Sequence, residues 1–324
     1  MPAPTCVCLL EDLGVLHIGG VDARKFLQGQ LSNDLERLRG DELLRAGLHN
    51  PQGRTVALLA MLAAADNGVL ALLPRDLLDS VSTLLKRFVL RAKVSMRDAT
   101  ADFRAYGLGA PEVAAGAVGQ RVRYGRGDDQ RQLLLQPQAD EPLSITVPRE
   151  HWLALDIAAG LPQIGVANSG HFVAQMLNLD CIDAVSFKKG CYTGQEIIAR
   201  AHFRGRVKRR MQRFVTDARC APGAALVAGA AGRLTDGRHY HVVEGVVRED
   251  GHCEFLAVAH LPGDIGNAGN ADTTIVAGAV STAGAASAAS TPSAAGTTAD
   301  AADNRTGEQS LAAQPLPLPY PLPV

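Results

Sequence analysis

Phe187-Lys188-Lys189-Gly190-Cys191-Tyr192-Thr193-Gly194-Gln195-Glu196 is the stretch on which the reading of this chain turns. Thr193 and Glu196 have the T-x-x-E spacing of a capping box, in which the hydroxyl accepts a backbone N–H three residues on and the glutamate reaches back. That spacing predicts a helix from Gly194 through Ile197, Ile198 and Ala201 toward Gly205, where a missing Cβ suits a left-handed stop. Cys191 then sits two residues before the cap, near the positive end of the helix dipole, with Lys188 and Lys189 just ahead of it. Such surroundings favour the thiolate, the form that acts as nucleophile or metal ligand. The other reading of the same residues is a small cysteine buried in a structural turn.

Composition narrows the setting. The chain has 324 residues, enough for two or three units, and a net charge of −1, so no whole-molecule field points at nucleic acid or membrane. The six cysteines, at 6, 8, 181, 191, 220 and 253, contain no C-x-x-C pair. They fit a reducing compartment better than a disulfide scaffold or a zinc site, and Cys6-x-Cys8 reads as two ordinary thiols. No apolar run is long enough to span a membrane, and the start lacks the basic and apolar regions of a secretory signal. The expectation is a soluble cytoplasmic protein without a membrane partner.

Mixed helices and strands follow in order. Residues 9–18 alternate as a strand, Gly19-Gly20 breaks it, and Asp22 is placed to cap a short helix over 23–28. Asn50-Pro51-Gln52-Gly53-Arg54 is strong turn punctuation before the apolar run 56–62, and points Arg54 outward at the start of a buried strand. Asn67-Gly68 marks a hairpin into 69–73. Leu77, Val81, Leu84, Leu85 and Phe88 form the stripe of a helix over 77–88, with strands expected at 89–96, 103–108 and 132–135. Trp152, the only tryptophan, stands in a helical or extended segment ending at Gly160-Leu161-Pro162. It fits a core position, and equally offers a wide π-face for a flat heterocycle. After Glu196, the residues Arg200, Arg204, Arg206, Lys208, Arg209, Arg210 and Arg213 precede the next acid, Asp217. They read as a solvated strand edge or as a cationic wall for an anion. The 200–213 run is read as lacking aromatic interleaving, which favours a small anion over RNA. Strands at 207–215, 225–228, 241–247 and 254–260 make a small all-β unit. His239 and His241 alternate on one strand face with no third ligand in place, and read as ordinary strand histidines. Residues 269–310 are mostly Ala, Gly, Ser, Thr and Asp and are expected to be disordered. The closing Leu316, Leu318, Tyr320 and Leu322 at period two read as an edge strand that tolerates its prolines.

Lys189-Gly190-Cys191-Tyr192-Thr193-Gly194-Gln195-Glu196 resembles the signature of the YgfZ-type folate-binding proteins, relatives of the glycine-cleavage T-protein (aminomethyltransferase). The run 20–34 and the lead-in 172–180 resemble the family too, with Ala174 where proline is usual. The resemblance implies an α+β, T-protein-like folate-binding module over residues 1–205. It also implies a C-terminal β-barrel from 206–268 plus 311–324, with 269–310 as an insertion. It further implies tetrahydrofolate or another folate derivative as cofactor and a role in assembly or repair of iron–sulfur clusters in client enzymes. The cluster-assembly machinery and those client proteins would then be its partners. The folate site would be drawn from Trp152, Leu13 (where the family can carry an aromatic), Arg54, Gly190, Tyr192, Gln195, Glu196 and Arg206, with Cys191 and Lys189 as the reactive pair. The T-protein places an acidic pair just inside the strand after the Gly-Arg turn. Aligned through Gly53, that place holds Ala57 and Leu58, so no carboxylate is there to manage a folate proton. This disfavours the rival reading, aminomethyl transfer, and a tRNA-modification factor is the third reading. Whether the chain is an enzyme stays open at this level.

Overall fold

A computed structural model describes residues 6–40, 42–220, 226–262 and 311–323. In chain order the elements are β1 (Val7–Leu9), β2 (Leu13–Gly19), α1 (Ala23–Gln28), β3 (Leu44–His49), β4 (Thr55–Ala63), β5 (Val69–Pro74), α2 (Leu78–Lys86), β6 (Ser95–Asp98), β7 (Phe103–Leu108), β8 (Gln120–Arg123) and β9 (Gln132–Pro137). Then come α3 (Arg149–Ala158), α4 (Gln195–Phe203), β10 (Arg209–Arg219), β11 (Ala231–Arg233), β12 (His239–Val247), β13 (His252–His260) and β14 (Ala313–Leu316).

Three antiparallel sheets result. The first runs β3-β4-β5-β2-β6, the second β1-β7-β9-β8 and the third β11-β12-β13-β10-β14. Alternation along β4 explains the first: Ala57, Leu59 and Met61 are buried while Val56, Leu58 and Ala60 are half-covered, so the strand has a core face and a second, more open face. Asn67 takes φ 61° at the expected hairpin between β4 and β5. In the third sheet Phe255, Ala257 and Ala259 of β13 build the sheet's own core with Phe214, Tyr240 and Val242. The alternate residues Leu256 and Val258 join the main core, which also holds Trp152, Ile157, Leu27 and Leu59. Together with Met211 of β10 and Val243 and Val246 of β12, they fasten the C-terminal sheet to the rest of the molecule.

Several expectations are corrected. The strand expected over 9–18 breaks at a turn around Glu11-Asp12, and its halves enter different sheets. The 77–88 helix is shorter, Leu78–Lys86 after a tight turn at Arg75–Leu77. Residues 89–94 are loop, and the strand starts only at Ser95, as the edge of the first sheet. Asp22 makes no side-chain cap to α1; its Oδ2 accepts the Lys93 N–H instead, at 2.8 Å. Residues 226–228 are not a strand; the short strand lies at Ala231–Arg233. The C-terminal strands pair as a sheet, with no closed barrel ladder among the described residues. Its edges approach through one parallel bridge, Leu234 to Leu311. The closing segment does supply an edge strand, with β14 pairing Arg213–Leu316 through Thr216–Ala313 against β10. The low-complexity stretch 269–310 lies outside the described residues. No helix among those described is long and apolar enough to cross a membrane.

Candidate functional site

The signature loop is held by two glycines from distant parts of the chain. Gly194 caps α4 with φ 80°, and a Cβ there would lie 2.6 Å from the Asn50 carbonyl oxygen and 2.9 Å from the Gly53 Cα. Gly53, at φ 70°, would place a Cβ 2.9 Å from that of Ile197. The 50–53 turn and the 190–194 loop therefore fit back to back only because both positions lack side chains. The capping box does not form. With Gly194 as the cap, Thr193 lies outside the helix and Glu196 falls one residue short of its capping position. Its Oε1 accepts from Arg200 Nη2 at 2.7 Å. Helix α4 ends at Phe203 with Gly205 outside the left-handed region, so the expected glycine stop is also absent.

Cys191 and Gly190 are exposed, as is Lys188, while Gln195 is half-buried. Lys189 is not free beside the thiol. Its Nζ donates to the carbonyl oxygens of Gln28 (2.5 Å), Leu31 (2.7 Å) and Asn33 (3.0 Å), pinning the loop to the end of α1. Burial pushes its pKa down to about 8, against the pull of the Asp34 carboxylate. The ammonium lies 5.2 Å from the centroid of Tyr192. Tyr192 is buried, which pushes its pKa up to about 12, and its hydroxyl has no hydrogen-bond partner. Its ring faces His49 at 6.3 Å. His49 Nδ1 meets the Thr55 hydroxyl at 3.3 Å, Nε2 is unpartnered, and burial pushes the imidazole down to about 3, so it is neutral. Arg54 does not point outward: Nη1 donates to the His171 carbonyl at 2.6 Å, and its backbone N–H bonds Asn50 Oδ1. It stitches the turn to the 171–173 segment.

A cleft opens on the half-covered face of the first sheet, with ≈ 50 Å³ of enclosed space and ≈ 470 Å³ when the open solvent at its mouth is counted. Leu13, Leu58, Ala60, Leu72, Leu73 and Leu133 give it aliphatic walls, and Arg45, Tyr124 and Gln163 are its polar members. Leu13 thus lines a cavity, and Leu58 stands in its wall while Ala57 turns into the core. Arg45 is fixed over the Tyr124 ring, 4.7 Å to the centroid, with Nη2 donating to the Tyr124 carbonyl. Arg45, Gly47 and His49 share one face of β3, and a Cβ on Gly47 would meet His49 Nε2 at 2.4 Å. Arg45 in the cleft and His49 beside Tyr192 therefore lie along the same sheet face, about 13 Å apart at four residues of strand rise.

Trp152 is not among the cleft-lining residues. It is fully buried, with Arg131 over its ring at 4.6 Å, Tyr124 at 5.3 Å and the Gly107 backbone against its ring atoms. No face of the indole is left for a heterocycle, so the stacking role is corrected to a core role. Behind it Arg131 Nη1 donates to Asp156 Oδ1 at 2.8 Å, and Asp156 Oδ2 accepts from the Tyr124 hydroxyl at 3.2 Å. Burial alone lowers Arg131, but the Asp156 carboxylate and the Asp129 hydrogen bonds outweigh it and hold the guanidinium above its ordinary range.

The basic run is dispersed. Arg210 is buried against Asp180 (2.9 Å), Arg213 pairs with Glu254 and Arg200 with Glu196. Arg206, like Arg204 and Lys208, is exposed. No single cationic wall faces the cleft. Nor did the sequence reading single out Arg45, Tyr124 and Gln163, which reach the cleft from three separate segments and carry no local signal. Glu244 was missed as well. Its Oε2 is inaccessible and unpartnered, and the cleft residue Gln163 donates a backbone N–H to this carboxyl. Burial, then the Asp156 carboxylate, push it up to about 8. The Arg149 guanidinium opposes that shift, and Arg149 is itself paired with Asp12 at 2.7 Å.

Three antiparallel sheets with short helices give the chain a fold shared with a solved aminomethyltransferase. The crystal structure of glycine cleavage system aminomethyltransferase T from Bartonella henselae matches with a TM-score of 0.58 over 78% of each chain, at 13% identity. No family model matches the chain. Among curated proteins, the tRNA-modifying protein YgfZ of Serratia proteamaculans is 32% identical over 250 residues, 68% of this chain and 74% of the relative. That of Escherichia fergusonii is 30% identical over 260 residues, 72% of this chain and 74% of the relative. The chain belongs to the YgfZ family.

Proposed function

We propose that this protein binds a tetrahydrofolate in the cleft between Leu13, Leu58 and Leu133, and that it supports iron–sulfur cluster assembly or repair and, through it, tRNA modification. The observation that carries the reading is the cleft's lining. Aliphatic walls suit the flat faces of a pterin, and the few polar groups fix its edge. Gln163 offers a donor and an acceptor together, and Arg45 is a cation suited to a folate carboxylate. The chemistry of the lining suits the group without Trp152, with most of a folate lying in the open mouth. A bound folate would supply a one-carbon carrier, and Cys191 in the signature loop an accessible thiol. The names of the curated relatives support the tRNA side of this reading, and the likeness to the aminomethyltransferase fold supports the folate side. Aminomethyl transfer itself is disfavoured, because Ala57 and Leu58 put no carboxylate at the strand position where the T-protein keeps its acidic pair.

The test is calorimetric titration with tetrahydrofolate. Gln163→Ala is expected to lose about 1–3 kcal/mol of binding, the cost of an unpaired polar group on the ligand. Leu58→Arg should abolish binding by filling the cleft. Binding unchanged in both variants, or absent in the parent protein, would remove the assignment. For the cluster role, cells carrying Cys191→Ala should show lower iron–sulfur content in client enzymes at unchanged protein level.

A further inference from the structure

A second cationic surface lies away from the run where the sequence concentrates its arginines. Lys86, Arg87, Arg91 and Lys93 leave the end of α2 and run toward the edge strand β6, and Lys25 stands on α1 beside them; all five are exposed. Among the described residues none of the five has an ion-pair partner. Three apolar side chains lie open among them: Phe88 is 45% exposed, Leu90 87% and Val21 86%. The two segments are joined, since the Asp22 N–H donates to the Lys93 carbonyl at 3.4 Å and the Lys93 N–H to Asp22 Oδ2 at 2.8 Å. Gly20 fits against Lys93 so closely that a Cβ would lie 2.2 Å from its carbonyl oxygen. The carboxylate nearest the patch is therefore held by a backbone amide. Asp79, the other acid bordering it, stands across a shallow hollow from Arg87 on the exposed side of α2.

We infer that this face, centred on Phe88 with Lys86, Arg87, Arg91, Lys93 and Lys25 around it, docks RNA. Charge complementarity selects a polyanion: unpaired exposed cations release counterions when phosphates take their place. An aromatic ring left open among those cations is the feature that separates a single-stranded nucleic acid from a merely acidic partner, because every base offers a π-face to stack on. The other basic run also has an open ring, Phe203 at 68% exposure beside Arg204, and is therefore the competing surface in the test. Helix α1 ties the face to the signature loop, with Lys25 in the patch and Gln28, three residues on, giving its carbonyl to Lys189. That separation is about 4.5 Å along the helix axis, so one short helix joins the patch to the lysine that anchors the signature loop. The inference deepens the tRNA side of the function proposed above and does not depend on folate.

The experiment is fluorescence anisotropy with a labelled unmodified tRNA transcript between 50 and 200 mM KCl, on the full chain without folate. The parent protein is expected to bind with a steep salt dependence. The combined Lys86→Ala, Arg87→Ala, Arg91→Ala and Lys93→Ala variant should bind at least about tenfold more weakly, with a log–log salt slope shallower by about 3. The charge-keeping exchange of the same four residues (Lys→Arg, Arg→Lys) should bind like the parent, which separates lost charge from lost fold. Phe88→Ala should weaken binding several-fold without changing the slope. Arg204→Ala with Lys208→Ala, in the other basic run, should change little. Absence of salt-dependent binding in the parent, or equal binding by the alanine variant, overturns the inference. Tighter binding of labelled poly-L-glutamate than of tRNA overturns it too and reassigns the face to an acidic protein. Folate calorimetry is untouched by either result, so the two readings fail separately.

Discussion

Lys189 shows how a signature residue can be read for the right place and the wrong task. Its position in the motif and its neighbour Cys191 are visible in the sequence. The three carbonyl oxygens that take its protons come from residues 28–33, some 160 positions away. Nothing local announces them. Lys189→Met would leave three buried acceptors short of a donor and is expected to cost about 1–3 kcal/mol in urea unfolding. Cys191→Ala, at an exposed position, should stay within about 0.5 kcal/mol of the parent. Exposure likewise makes Cys191 the expected first site of iodoacetamide labelling. Burial pushes Cys8, Cys181 and Cys253 up to about 11, leaving little thiolate there near neutrality. Peptide mapping that found Cys181 or Cys253 modified first would defeat this ordering. Glu244 gives the pH dependence. Its folded-state pKa is raised to about 8 from an ordinary 4.5, so between those values the folded chain holds a proton that the unfolded chain has lost. Stability must fall as pH rises through that window. Because the side chain keeps some access to water, the loss is put at about 1–3 kcal/mol between pH 5 and 8. Glu244→Gln should flatten that part of the profile, and equal slopes for both proteins in chemical denaturation would exclude the mechanism.

Elements were legible where the pattern is local. The apolar runs that become β4 and β5, the Asn67-Gly68 hairpin and the short α1 all follow from composition and turn chemistry, and all are present. Failures came where tertiary contact decides. Thr193 and Glu196 have capping-box spacing, yet the close approach of the 50–53 turn requires a left-handed glycine at 194 and shifts the helix start by one residue. Residues 89–94 are apolar enough for a strand, but they serve as the link that brings Lys93 to Asp22. The cleft could not be read from any one segment, because Leu13, Arg45, Tyr124 and Gln163 converge from different sheets and loops. The closing segment supplies its strand at Ala313–Leu316, ahead of Leu318, Tyr320 and Leu322, whose period two suggested it, and it is tied in beyond β14. The Tyr320 hydroxyl donates to the Gly160 carbonyl at 2.8 Å, and Gly160 itself, at φ 63°, sits against Tyr320 and Leu318. Tyr320→Phe should therefore lose about 0.5–2 kcal/mol, the worth of one half-buried hydrogen bond. Ending the chain at residue 310 should lose clearly more, since the ladder with β10 and the packing of Leu318 go with it. Equal thermal midpoints for the two would show that the segment contributes nothing but that hydroxyl.

At the scale of the whole molecule, the cleft sits where the first sheet, β9 of the second and the 162–163 loop meet, so a ligand there touches parts of the chain that must separate on unfolding. Such a ligand stabilises the fold by RT ln(1 + [L]/Kd), about 2.7 kcal/mol at a hundredfold excess over Kd. Tetrahydrofolate should accordingly raise the thermal midpoint of the parent protein, and Leu58→Arg should remove that shift. The chemistry of the same wall sets a limit. Leu58 and Ala60 face the cleft from β4, Ala57 turns away into the core, and none of the side chains lining the cleft is a carboxylate. A general acid or base must lie within hydrogen-bonding reach of the nitrogen it serves, and here β4 offers only hydrocarbon. Glu244 approaches through the Gln163 backbone but is absent from the lining, and its raised pKa keeps most of it protonated at neutrality. The protein given tetrahydrofolate, a methylene donor and ammonia should therefore bind the folate and show no aminomethyl transfer above the uncatalysed rate. A thermal shift with no turnover is the expected pair of results; turnover would mean that a carboxylate outside this wall reaches the ligand, with Glu244→Gln the first variant to test.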